Sequence, residues 1–363
     1  MAGDLRILHL LSDDLGWETV DHLVSLAAAL RELGLPQGLA LSRESPAAER
    51  ARAAGISVFP CEIARSLNPF RWLKLARLLG RFRPAVAHAH GAEAAVLLAR
   101  ALRFGKKTRP AASRYRFHPP PVPAESDPGA AAICPSRAAA ERLAGKGEPR
   151  IIPAGVALPI LARAAGNRSG QRENLRKAHC PDKEKPLFLV NIAPLEEESR
   201  HPAVLEAMLP VLAALPQAHL FIMGEGGMEP ELLRQVQILA LEREVTFFAP
   251  AVPDCWDLLA AADLYVSATR GDLAGIMAKA ALAAGRAAVL ADSGCFPELS
   301  GEGKYARLSD PDGGSLAGAM LELLENRNRR EQLGRQAGDW ARRRFGLAEQ
   351  ATALAAFYAG EGG

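Results

Sequence analysis

Two short glycine clusters are the segments of this 363-residue chain best suited to binding chemistry. Gly224-Glu225-Gly226-Gly227 follows the apolar run 220–223, and Asp272-Leu273-Ala274-Gly275 opens an apolar helical stretch. Loops of this kind aim backbone N–H groups at an anion, and the second adds the positive end of a helix dipole, so both suit a diphosphate. The same glycines would equally serve tight turns. His88 and His90 close a short apolar run at 85–88 and read either as strand-end residues or as the lining of a cleft. Residues 70–79, FRWLKLARLL, are amphipathic and basic. They fit a core-packed helix with a solvated basic face, or a helix lying on an anionic membrane surface.

Several chemistries are absent from the sequence. It has no G-x-x-x-x-G-K-[ST] for a P-loop, no G-x-G-x-x-G after the first strand for a nicotinamide or flavin enzyme, and no G-x-S-x-G nucleophile elbow. The cysteines number five, an odd count, and are widely separated (Cys61, Cys134, Cys180, Cys255 and Cys295). Without a C-x-x-C pair they suit neither a disulfide framework nor a zinc site, and they read as buried thiols of a reducing compartment. No nucleic-acid-binding module is recognisable.

The elements that must position these residues alternate regularly. Short apolar runs at 5–11, 39–41, 58–59, 85–88, 131–134 and 150–153 predict buried parallel strands, with helices at 22–33, 69–83 and 93–103 between them. The proline-rich segment 118–128 interrupts this pattern. A second series has strands at 187–190, 220–223, 245–247, 264–266 and 288–290. Its helices lie at 203–215, 229–241, 255–261 and 276–284, and a last helical region over 316–358 breaks near Phe345-Gly346. Strand–helix alternation predicts an α/β fold of two doubly wound sheets. We place the first domain at 1–160, a linker with a short helix at 161–185, the second domain at 186–345, and a C-terminal helix at 346–363 crossing back to the first. Facing each other, two such sheets put the C-terminal ends of their strands at one cleft.

Length and composition agree. A chain of this length is too long for one ordinary core, and 49% apolar with 23% charged residues is the balance of a globular protein. No apolar run reaches the length of a membrane span, and the N-terminus lacks the pattern of a secretory signal. The net charge of +3 hides an asymmetry: residues 1–160 hold 22 Lys/Arg against 14 Asp/Glu, leaving the remainder at −5. The basic excess concentrates in 51–120, where Glu62 and Glu93 are the only acids. Two halves of opposite sign predict domains with different ligands.

Several segments, in order, resemble the retaining GT-B glycosyltransferases of family GT4. Ala87-His88-Ala89-His90-Gly91 is similar to that family's HxHG turn. Ile133-Cys134-Pro135-Ser136-Arg137, Glu141-Arg142-Leu143 and Ile151-Ile152-Pro153-Ala154-Gly155-Val156 resemble its ICVSE…ERL…VIPNGV segments. Residues 220–226 with 245–263 resemble LLIVGDG…VTFLG…LLAAADLFV, and 285–298 resembles GKPVVATDVGGIPE. The resemblance covers nearly the whole chain. It implies a GT-B architecture and transfer of a sugar from a nucleotide-sugar donor in the second domain to a glycan, lipid or other cell-envelope acceptor beside the basic first domain. No cofactor or metal is implied, and the location implied is cytoplasmic, with peripheral contact to the inner face of the membrane through residues 70–83. Carried over by position, Asp272 is the catalytic carboxylate at the transferred sugar. Gly16, Arg200, Gly224, Gly226, Ala274, Gly275 and Glu298 are donor-binding, and His90, Tyr115 and His118 lie on the acceptor side.

The sequence departs from the family at the donor positions. Of the two family carboxylates, the first maps to Asp272 and the second to Ala280. The family's diphosphate-binding Arg and Lys map to Pro194 and Ser199, leaving neighbouring Arg200 as the one cation, in a loop that also carries Glu196, Glu197 and Glu198. The glycine pair after the first strand is reduced to Gly16 beside Trp17, and the THGF turn maps to Arg114-Tyr115-Arg116-Phe117, with His118 nearby. Two functions therefore follow from the resemblance: an active glycosyltransferase, or a catalytically silent homologue that binds a nucleotide sugar or glycan or supports a partner enzyme.

Overall fold

The computed structural model describes residues 5–13, 15–41, 46–61, 63, 69–104, 109–113, 131–141, 149–250, 254–270 and 275–360. They form two compact units, Met1–Gly155 with Leu347–Gly363, and Val156–Gly346.

The first unit is built on a seven-stranded sheet. Its strands are β1 (Ile7–Leu11), β2 (Gln37–Leu41), β3 (Ser57–Pro60), β4 (Val86–His90), β5 (Arg109–Ser113), β6 (Ala131–Cys134) and β7 (Arg150–Ile151). Their order is β3-β2-β1-β4-β5-β6-β7, all parallel. Every residue of β1, β2 and β4 is buried, as a strand covered on both faces requires. The helices are α1 (Trp17–Glu32), α2 (Pro46–Ala53), α3 (Pro69–Phe82), α4 (Ala92–Ala101), α5 (Arg137–Glu141) and α15 (Leu347–Ala359), the last packed on α1. Leu75 and Leu79 of α3 join a core with Leu97 and Leu98 of α4 and Leu8 and Leu10 of β1. On its outer side α3 exposes Lys74, Arg77 and Arg81, and Phe70 stands 78% exposed.

The second unit holds a six-stranded parallel sheet. Its strands are β8 (Leu187–Ile192), β9 (Ala218–Met223), β10 (Val245–Phe248), β11 (Leu264–Ser267), β12 (Ala287–Ala291) and β13 (Arg307–Ser309), in the order β10-β9-β8-β11-β12-β13. Helices α6 (Leu158–Gly166) and α7 (Arg168–His179) precede it, and α8 (His201–Ala214), α9 (Glu229–Ile238), α10 (Asp254–Ala261), α11 (Ile276–Ala283), α12 (Phe296–Leu299), α13 (Gly313–Leu324) and α14 (Arg327–Arg344) complete it. The core is aliphatic, with Leu205, Met208, Leu220, Ile222, Val266, Val289 and Met320 buried together.

Three differences from the sequence reading have physical causes. The segment 161–185, read as a linker with a short helix, carries most of α6 and all of α7, which pack on α10. Arg168 and Arg172 of α7 pair with Asp263, so a stretch polar enough to read as linker is fastened by ions. The short strands β5 (RPAAS) and β13 (RLS) lack the apolar run that marks the others. The last helical region divides at Asn326 as well as at Phe345-Gly346, because the Asn326 side chain accepts from Arg329 N and caps α14. All five cysteines are buried, and none of them forms a disulfide. Among the described residues no helix is long and apolar enough to cross a membrane.

Candidate functional site

In the second unit the loops at the C-terminal ends of the strands are stitched to one another, and most of the expected donor residues sit in them. Gly224-Glu225-Gly226-Gly227 leaves β9 and lies against the 193–196 segment that leaves β8. Leu195 N donates to Glu225 O at 2.9 Å, and Met228 N donates to Leu195 O at 2.9 Å. The approach is so close that a Cβ on Gly224 would meet Ala193 O at 2.1 Å, and one on Gly226 would meet Leu195 O at 2.4 Å. The next loops are joined in turn: Arg270 N donates to Glu198 O, Ser293 Oγ to Thr269 O, and Asp292 N to Ser309 O.

A second group forms where α11 begins. Gly275 sits at its N-cap with φ +60°, and a Cβ there would meet Leu299 Cδ2 at 2.4 Å and Cys295 Sγ at 2.9 Å. Glu298, half-buried, neighbours Leu299 in α12. The first N–H groups of a helix have no intrahelical partner, and with the dipole of the helix they make this end attractive to an anion. Asp272 and Ala274 lie outside the described residues. Ala280, at the family's second carboxylate position, is fully buried within α11, and its neighbour Lys279 lies over the Phe345 ring at 5.0 Å.

Arg200 takes the left-handed conformation (φ +56°) at the N-cap of α8, and its Nη2 donates to Pro311 O at 3.4 Å. The guanidinium is thus engaged at the β13 end of the sheet, and its charge helps to hold Asp312 below the usual carboxylate range, after the hydrogen bonds from Ser315. Glu196, Glu197 and Glu198 are exposed, and Glu196 Oε1 accepts from Gly227 N at 3.3 Å. A carboxylate therefore occupies one glycine-loop amide. His201, the first residue of α8, has no exposed surface, and neither ring nitrogen has a partner among the described residues. Burial lowers its pKa to about 4, so it is neutral at pH 7. Nothing in the sequence marked His201 as unusual.

In the first unit the residues with chemistry converge inside the sheet. His9 of β1 stands in register with His88 of β4, and His90 lies two residues on, on the same face. Gln37 Nε2 donates to Leu35 O, so its Oε1 must accept from His9 Nε2, at 2.8 Å. His9 Nδ1 is then left to accept from His90 Nε2, also at 2.8 Å. His88 Nδ1 is bonded to the Tyr358 hydroxyl of α15. Burial, and then the neighbouring imidazoles, hold His88 and His90 well below the ordinary histidine range, and burial takes His9 to about 4. His90, expected on the acceptor side, has no exposed surface here and is a member of this polar core. Its spacing from His88 was legible in the sequence, whereas Gln37 and Tyr358 carried no signal. Gly16 caps α1, where a Cβ would meet the Glu18 carboxylate at 2.6 Å. Trp17 beside it is partly exposed, and its indole nitrogen has no partner among the described residues. Tyr115 and His118 lie outside the described residues.

Among solved structures, a glycosyltransferase from Rickettsia africae matches with a TM-score of 0.81 at 13% identity, covering 98% of each chain. HepE of Anabaena, in complex with UDP and glucose, matches with a TM-score of 0.79 at 18% identity, covering 98% of this chain and 99% of that one. The sucrose-phosphate synthase of Thermosynechococcus elongatus matches with a TM-score of 0.75 at 16% identity, covering 98% of each chain. No curated protein sequence matches the chain. Residues 171–340 match the family model described as glycosyl transferases group 1. The chain thus has the GT-B fold, and residues 171–340 of its second unit are similar to the glycosyl transferases group 1 model.

Proposed function

We propose that this chain is a GT4-like retaining glycosyltransferase that takes a nucleotide-sugar donor on its second unit. The observation that carries the reading is the close-packed glycine loop 224–227 on the strand-end edge that also bears the N-terminus of α11, inside the family-matched residues. In glycosyl transfer the nucleoside diphosphate departs with the bonding electron pair. Its charge must be met by donors already in place. The amides of the glycine loop and of the start of α11 supply such donors without a metal. Asp272 is proposed at the transferred sugar, with Gly275 and Ala274 at the phosphates and Glu298 nearby. The bound neighbour HepE, holding UDP and glucose, supports a UDP-type donor.

The acceptor side is proposed on the first unit, with Tyr115 and His118 beside it. The basic helix α3, with Phe70 and Leu73 exposed between Lys74, Arg77 and Arg81, suits a lipid-linked acceptor at an anionic membrane surface. The chain should co-sediment with vesicles containing anionic phosphatidylglycerol and not with neutral phosphatidylcholine vesicles. Equal sedimentation with both would end that assignment.

The donor loop favours a second reading, a catalytically silent homologue that binds a nucleotide sugar or glycan or supports a partner enzyme. Pro194 and the buried Ala280 supply neither of the family's polar groups, and Glu196 already occupies an amide of the glycine loop. Titration with UDP- and GDP-sugars separates the readings. Binding with donor hydrolysis or transfer establishes the enzyme, and binding without turnover establishes the silent homologue.

A further inference from the structure

The opposite edge of the second unit's sheet, where the strands begin, holds a cavity of about 670 Å³. Eight cationic side chains line it against four carboxylates, in a half of the chain whose overall charge is negative. It is within the size range of ordinary small-molecule sites. It lies a strand length, about 20 Å, from the glycine loops.

Much of this charge has structural work. Helices α10, α11 and α13 all end at this edge, and their last carbonyls need donors. Arg168 Nε donates to Ala260 O, and Arg172 Nη1 to Ala261 O. Arg286 donates to Ala284 O and Ala262 O, and Arg330 Nη1 to Leu323 O and Leu324 O. Capping does not exhaust them. Asp263 pairs with Arg168 and Arg172, and Glu331 pairs with Arg327 and Arg335. Arg286 and Arg330 pair with no carboxylate among the described residues, and each keeps its Nη2 without a hydrogen-bond partner there. The guanidinium of Arg286 is destabilised first by burial and then by Arg168, which brings its pKa down to about 10. Asp263 acts on both groups, and Glu331 on Arg330, without pairing with either, and partly desolvated guanidinium groups with open donors around a cavity are the arrangement that binds phosphoryl oxygens in forked pairs.

We propose that this cavity is a second anion site, separate from the donor site, for a small molecule carrying two or more phosphoryl groups. Arg286 and Arg330 hold it from the wall, and Arg327 and Arg335 attract it from the rim, where their side chains are 80% and 71% exposed.

Inorganic tripolyphosphate is the probe, titrated by calorimetry into the full chain at low and at physiological salt. The expected result is one site per chain, weakening as salt rises. Arg286→Gln should weaken it at least tenfold. Because Arg286 also caps two helices, the rim variant Arg327→Gln/Arg335→Gln serves beside it, with an expected several-fold loss and a shallower salt dependence. Saturating UDP should leave the tripolyphosphate affinity unchanged. The inference is overturned by no binding at millimolar probe, by undiminished affinity in both variants, or by competition with UDP. It stands or falls independently of the donor site, since tripolyphosphate binding is expected even if no nucleotide sugar binds.

Discussion

At the scale of single residues the glycines bear the most specific constraint. Gly226 lies against Leu195 O, and that residue is tied on both sides, its N–H to Glu225 and its carbonyl to Met228. The carbonyl cannot retreat from a new methyl without losing a hydrogen bond. Gly226→Ala should therefore cost about 1–3 kcal/mol in chemical denaturation of the second unit, and weaken any nucleotide-sugar binding. The buried histidines give a second residue-scale prediction. His9, His201 and His219 are each lowered to about 4, chiefly by burial, from an ordinary value of 6.5. The unfolded chain then takes up protons first, so stability is complete above about pH 6.5 and falls as the pH drops toward 4. The slope is up to about 1.4 kcal/mol per pH unit for each histidine. Denaturant midpoints across pH 4–7 check this, and a flat profile would contradict the buried, neutral assignment.

At the scale of elements, α15 and α14 show how local chemistry fixes larger pieces. Tyr358 binds α15 to His88 of β4 across a fully buried contact, and Gln350 accepts from Gly155 N in the same unit. Tyr358→Phe leaves the His88 ring without this partner and should cost about 1–2 kcal/mol by urea denaturation. Asn326→Ala removes the cap of α14 and should cost about 0.5–2 kcal/mol in the same measurement. Most elements were legible because buried parallel strands such as Ile7–Leu11 and Ala218–Met223 write themselves as apolar runs. Arg109–Ser113 and Arg307–Ser309 were not, because tertiary pairing with β4 and β12 makes them strands despite weak propensity. The segment 161–185 was misleading for a related reason. Its helix α7 buries no residue of its own and is held by arginines reaching Asp263 and carbonyl groups at the end of α10, an arrangement that hydrophobic periodicity cannot report.

At the scale of the whole molecule the charge asymmetry takes on a more detailed form. The basic first half exposes Lys74, Arg77 and Arg81 on the outer side of α3 among its surface cations, while the acidic second half gathers arginines at the strand-start edge and carries Glu196, Glu197 and Glu198 at the strand-end edge. Of the candidate site, the glycine loops were readable because a parallel sheet presents loops at strand ends in sequence order. The engagement of Arg200 with Pro311 and of Glu196 with Gly227 was not readable, since each joins segments 31 or more residues apart. These two contacts engage a guanidinium donor and a glycine-loop amide on an edge that has Pro194 and Ser199 where cations were expected. The central claim is that this edge nevertheless binds a nucleotide sugar. Calorimetric titration of the chain with UDP- and GDP-sugars tests it most directly. The account predicts saturable binding of one donor per chain, lost or strongly weakened in Gly226→Ala that retains its helical circular dichroism. Absence of heat and of thermal stabilisation with every UDP- and GDP-sugar would contradict it.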